Sequence, residues 1–124
     1  MSEPPAVLHS WDEVPQEALT ALIARRIITG ERMMISQLEL EAGAVVPTHA
    51  HENEQITHVL AGRMRFWLGS DESQVVEIGA GEVLVIPPHL PHRVLVLERT
   101  LDVDIFCPPR QDWLDGTDSY LRDQ

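Results

Sequence analysis

The 124-residue chain has a single cysteine, Cys107, so no disulfide can close within it. That fits a reducing compartment. Cys107 lies in an apolar strand beside two prolines, and packing rather than nucleophilic chemistry is expected of it. Basic residues are also scarce. Nine Lys plus Arg stand against 20 Asp plus Glu, a formal net charge of −11. Such a chain repels phosphate backbones and anionic headgroups, which excludes nucleic acid and anionic membrane surfaces as expected partners. It also cannot steer acidic ligands from a distance. An acidic ligand would need a local cation, from a metal or an arginine. No stretch approaches the ~18 consecutive apolar residues of a membrane span. The start, MSEPPAVLHS, lacks the basic head and apolar run of a signal peptide. A soluble cytoplasmic protein is the expectation. There is no internal repeat of solenoid length and no low-complexity tract.

What is present suits one compact domain. Hydrophobic residues make up 44% of the chain, inside the globular range. In Met33–Glu41, Met34, Ser36, Leu38 and Leu40 alternate with Ile35, Gln37, Glu39 and Glu41, the period-two signature of a half-buried strand. Glu17–Gly30 would suit a short helix by composition, but its second half carries paired isoleucines and a threonine, and a strand at 22–29 is expected. Further strands are expected at Gln55–Leu60, Met64–Leu68, Gln74–Ile78, Glu82–Ile86, Arg93–Leu97 and Leu101–Phe106. Turns are expected at Ala61-Gly62-Arg63 and Glu98–Thr100, and a stiff connection at Pro87–Pro91. Many short strands with glycine turns indicate an all-β sandwich or barrel. The plan is an N-terminal arm at 1–20, a barrel at 21–110 and a tail at 111–124. The tail, with Trp113, Leu114, Tyr120 and Leu121 as anchors, is expected to dock outside the barrel as a turn or short helix.

The segment Gly43–Gly62 concentrates the chemistry. On a strand, His49, His51 and Gln55 leave one face, with the two histidines roughly 6.6 Å apart. Two imidazoles and an amide oxygen aimed at one point can hold a metal ion. A lone histidine is more often an ordinary polar residue. Here Thr57 and Val59 would continue the inward row, while Glu52, Glu54 and His58 have the opposite parity. His9 and His89 read as arm and loop residues. Later, Asp102, Asp104 and Phe106 share one face and Leu101, Val103 and Ile105 the other. Which face looks inward is open from the sequence. Arg110 by itself reads as a surface residue.

The spacing Gly43-x5-His49-x-His51-x3-Gln55-x6-Gly62 resembles the first signature of the cupin superfamily, where the Gln55 position is usually Glu. Gly81, Pro87 and His92 resemble the second. His89 stands where that motif has Gly, and Val96 where it has Asn. The resemblance implies a cupin jelly-roll β-barrel with His49, His51, Gln55 and His92 holding one divalent ion: Mn, Fe, Co, Ni or Zn. All four ligands are neutral, so the ion keeps its full charge; it is a stronger Lewis acid and is held less tightly. HENEQITHVLAG, IPPHLPH and LDVDIFCPPRQDWL are together similar to the small KdgF-like cupins of pectin and alginate degradation, over roughly residues 29–121. That likeness places functional roles on Asp104 and Arg110, with Phe106 lining the pocket, through the pattern Asp-x-Phe-x-Pro-x-Arg. It implies opening of 4,5-unsaturated uronate rings to keto acids. The rivals are a metal-dependent dioxygenase and a non-enzymatic small-molecule-binding module. A homodimer is expected, because open sheet edges need cover.

Overall fold

A computed structural model describes residues 3–122. After a 3-10 turn at Trp11–Glu13, eight strands follow: β1 Glu17–Ala18, β2 Ile23–Thr29, β3 Met34–Leu40, β4 Val45–His49, β5 Glu54–Leu68, β6 Gln74–Gly79, β7 Val83–Ile86 and β8 His92–Cys107. Two short helices close the chain, α1 Gln111–Asp115 and α2 Ser119–Arg122. All pairings are antiparallel.

The long strands β5 and β8 organise the rest. The C-terminal half of β8 pairs with β3 and with the first half of β5, which also pairs with β7. With β2 and β1 beyond β3, these segments form one layer. The first half of β8 pairs with β4 and with the second half of β5, which also pairs with β6. These segments form the second layer. The result is the all-β jelly roll that the motifs implied.

The expected turns at 61–63 and 98–100 are not turns. Both lie inside continuous strands, where the register shifts at Val59/Ala61, Ala61/Arg63 and Arg63/Met64. Bulges bend the paired strands from one layer into the other without breaking the ladder. Gly62 makes the bend possible. Its φ is +95°, and a Cβ there would overlap the Arg99 carbonyl and Thr100.

Period-two patterning sets the interior. Met34, Ser36, Leu38 and Leu40 of β3 are buried while the alternate residues are half-exposed. Val59, Met64, Phe66, Val94 and Val96 fill the space between the layers. The same alternation turns Phe106 inward, at 1% exposure. It therefore turns Cys107 outward, and this cysteine is exposed rather than packed. The end of the arm joins the sheet, where Glu17 and Ala18 pair with Arg25 and Ala24. The extreme ends of the expected arm and tail, residues 1–2 and 123–124, lie outside the described residues.

Candidate metal centre

His49 is the last residue of β4 and His92 the first of β8, and the two are register partners. His51 lies past the end of β4, on the bend that leads into β5. The strand alternation therefore stops short of it, and the bend brings it in. Ring centroids lie 4.1 Å apart for His49–His92, 5.1 Å for His51–His92 and 5.7 Å for His49–His51. One ligand atom from each of the three lies within 4.8 Å of the others.

Backbone carbonyls orient all three rings. His49 Nδ1 lies 2.8 Å from the Pro47 carbonyl, His51 Nδ1 3.1 Å from that of Asn53, and His92 Nδ1 2.8 Å from that of Leu90. A carbonyl oxygen only accepts, so each Nδ1 is the donor and each Nε2 keeps its lone pair. Burial, with the neighbouring His92 as second cause, lowers His49 to about 3. Burial, then the Arg110 charge, lowers His51 to about 4. Burial also lowers His92. The rings are neutral at neutral pH, as metal ligation requires.

The amide of Gln55 is oriented by a chain of hydrogen bonds. Its Nε2 donates to Thr57 Oγ1 at 2.9 Å, and Thr57 Oγ1 donates to Asp104 Oδ1 at 2.8 Å. Gln55 Oε1 therefore faces His51 Nε2, 3.1 Å away. Both atoms present lone pairs, an arrangement that repels unless a cation lies against both. Ligand atoms each ~2.1 Å from one ion lie roughly 3 Å apart when at right angles. His92 Nε2 is buried with no hydrogen-bond partner. A buried orphan nitrogen, facing lone pairs and three neutral imidazoles fit a divalent ion.

Both Asp102 and Asp104 face the interior, at 3% and 6% exposure. Asp104 lies between Ser36 of β3 and Thr57 of β5, while Asp102 lies between Leu38 and Val59. Burial, then the charge of Asp104, pushes the Asp102 carboxyl well above the carboxylate range. Burial raises Asp104 too, against the pull of hydrogen bonds from Asp102 and Thr57 and of the Arg110 charge.

Arg110 is not on the surface; it is 2% exposed. Its guanidinium forks onto Asp112, with Nε to Oδ1 at 3.0 Å and Nη2 to Oδ2 at 2.8 Å. Nη2 also donates to the Tyr120 hydroxyl at 2.7 Å. The tail is thus part of the site. Tyr120 stacks on His49 with centroids 4.4 Å apart, and Trp113 packs edge-on to Phe106 at 4.9 Å. Leu121 is buried, whereas Leu114, an expected anchor, is 43% exposed. His49, Gln55, His92, Asp104, Arg110 and Tyr120 line one cavity of about 50 Å³.

Sequence reasoning missed the ring of charges that ties this tail down. Arg25, with a fully buried side chain, contacts Asp118 at 2.6 Å and Glu17 at 2.8 Å. Arg122 contacts the same two carboxylates at 2.7 and 3.0 Å. The one available signal was an arginine at an inward position of β2. The residues set aside fall where expected: Glu52, Glu54, His89 and His9 are exposed and His58 is half-buried.

The Cupin domain family matches residues 36–107 of the chain. Among solved structures, KdgF from Halomonas sp. is 30% identical and aligns over 82% of this chain and 94% of its own, with a TM-score of 0.74. An RmlC-like cupin from Shewanella frigidimarina is 20% identical over 88% and 96%, with a TM-score of 0.79. A variant of oxalate decarboxylase from Bacillus subtilis is 18% identical, with a TM-score of 0.73 over 81% of this chain and 29% of its own. The last two likenesses are likenesses of fold. No curated protein sequence matches. Among the described residues, no helix is long and apolar enough to cross a membrane.

Proposed function

From the premise that the chain belongs to the cupin family, we propose that it is a mononuclear metal-dependent enzyme acting on a small carboxylated, sugar-like substrate. We infer that its reaction is the opening of 4,5-unsaturated uronates to linear keto acids. The observation that carries this reading is the clustering of three imidazoles, of which His49 and His92 line one cavity with Gln55, a buried carboxylate and a buried guanidinium. The 30% identity to Halomonas KdgF supports it.

His49, His51 and His92, through Nε2, and Gln55, through Oε1, would hold the ion. Its role would be to supply positive charge for a developing oxyanion. Asp104 handles the proton. It takes the proton of the anomeric hydroxyl as the C1–O5 bond breaks, and the electron pair passes to the ring oxygen as an enolate. It then returns the proton to C4, leaving a ketone at C5, so the reaction is an isomerisation with no co-reactant. A carboxyl raised by burial is matched to that task at neutral pH. Arg110 supplies the cation that pairs with the substrate carboxylate. Phe106 walls the pocket beside His51, with ring centroids 5.9 Å apart.

The test is loss of ultraviolet absorbance from a set of unsaturated uronates. Protein reloaded with each of Mn, Fe, Co, Ni and Zn is compared with chelator-stripped protein. Metal-dependent loss without oxygen uptake is expected. Absence of loss with every metal, in folded and loaded protein, would overturn the ring-opening reading. Oxygen consumption would replace it with a dioxygenase.

A further inference from the structure

Tyr120 lies against the histidine centre, stacked on His49, and lines the same cavity as Gln55, His92, Asp104 and Arg110. A ligand carboxylate that pairs with Arg110 meets the Tyr120 hydroxyl already bonded there. The contacts around the tail decide what can move.

Two motions would enlarge the space. Lifting the whole segment 111–122 would break the Arg25–Asp118 pair, whose side chains are fully buried, and would expose Trp113 and Leu121. Separating a buried ion pair and uncovering two core side chains makes that state vanishingly rare. Rotating the Tyr120 side chain alone costs far less. Among what it loses are the ring stack on His49, the hydrogen bond from Arg110 and that from Trp113 Nε1 at 3.0 Å. Losses of that kind make the open state a minor population.

We propose that the Tyr120 side chain is a gate over the histidine centre, swinging on a C-terminal segment that the Arg25–Asp118–Arg122–Glu17 ring holds still. Its closed position lays the phenol ring on His49 and its hydroxyl on Arg110. Rotation uncovers one metal ligand and frees one N–H of Arg110 Nη2, whose other N–H stays on Asp112 Oδ2. The freed N–H is then available to a ligand carboxylate, which also makes Tyr120 a residue that discriminates ligands by size. That second consequence rests on the proposed function; gating of the metal centre does not.

A gate has a kinetic signature. If it is closed both with and without the ion, entry and exit are slowed by the same factor and affinity is unchanged. The experiment measures Co2+ uptake by chelator-stripped protein and Co2+ loss to excess chelator, both by visible absorbance. Wild type is compared with Tyr120→Phe and Tyr120→Ala. The expected result is at least tenfold acceleration of both rates in Tyr120→Ala, with a smaller acceleration in Tyr120→Phe, which keeps the ring and loses the hydroxyl. The ratio of the rates stays constant. Leu114→Ala, an exposed change in the same tail, serves as control and leaves both rates alone. Unchanged rates in Tyr120→Ala would overturn the gate. So would a change in affinity matching the change in exit rate, which would make Tyr120 a support of the ligand set instead. Tyr120→Phe keeps the test decisive should the alanine variant fold poorly. No uronate is used, so failure of ring opening and failure of the gate are separate results.

Discussion

Asp102→Asn should stabilise the fold increasingly as pH rises. Asp102 is 3% exposed, lies between Leu38 and Val59, and leaves its Oδ1 without a hydrogen-bond partner. Burial, then Asp104, raises its carboxyl well above the ordinary value. The folded chain therefore keeps a proton that the unfolded chain releases near pH ~3.9. A raised pKa gives a contribution fully present below the unfolded value and lost as pH climbs toward the folded value. One retained proton sets a slope of at most about 1.4 kcal/mol per pH unit, followed here from about pH 5 to about pH 8. The asparagine variant has no such proton. The histidines act in the opposite sense. Their lowered values, about 3 for His49 and about 4 for His51, remove stability as pH falls below the ordinary imidazole value. They are common to both proteins and cancel in the difference. Urea unfolding of the chelator-stripped proteins across that range should show the variant's advantage growing with pH. Parallel curves, or an advantage that shrinks with pH, would refute the account of a neutral, buried Asp102.

Three further substitutions probe the frame. Gly62→Ala forces a side chain into left-handed backbone against Arg99 and Thr100, so it should cost more than about 2 kcal/mol, read as a lowered urea midpoint. His89→Gly should do the reverse. His89 has φ +66°, its backbone N–H donates to the His51 carbonyl at 2.7 Å, and relief of the left-handed strain is worth about 1 kcal/mol, seen as a raised melting temperature. Arg25→Met leaves Asp118 buried with only Arg122 beside it, and should destabilise by roughly 3 kcal/mol in the same assays.

The barrel and the grouping of His49, His51 and His92 were legible because both are written in short-range patterns. Alternation along β3 marks its buried face, and His49, Gln55 and His92 sit at motif spacings that survive without any knowledge of the fold. What it hid is set by long-range contacts. The bends at Gly62 and Thr100 look like turns from either strand alone, and only their mutual pairing shows one bent ladder. Asp102 and Asp104 match an inward or an outward face equally well until Ser36 and Thr57 are found beside them. Without the family pattern, Arg110 reads as a surface residue because charged side chains usually are. Its burial depends on Asp112 and Tyr120, and the tail's place depends on Arg25, 93 residues before Asp118. Cys107 reads as packed because its strand is apolar, but position along the alternation, not composition, decides the face.

The claim on which the rest stands is that His49, His51, Gln55 and His92 hold one divalent ion. Titration of chelator-stripped protein with Co2+, followed by visible absorbance, measures it directly. The account predicts saturation at one ion per chain in wild type, and loss of that binding in His92→Ala while the far-ultraviolet spectrum of the β fold is kept. Saturable binding that persists unchanged in His92→Ala, or no binding by wild type, would contradict it.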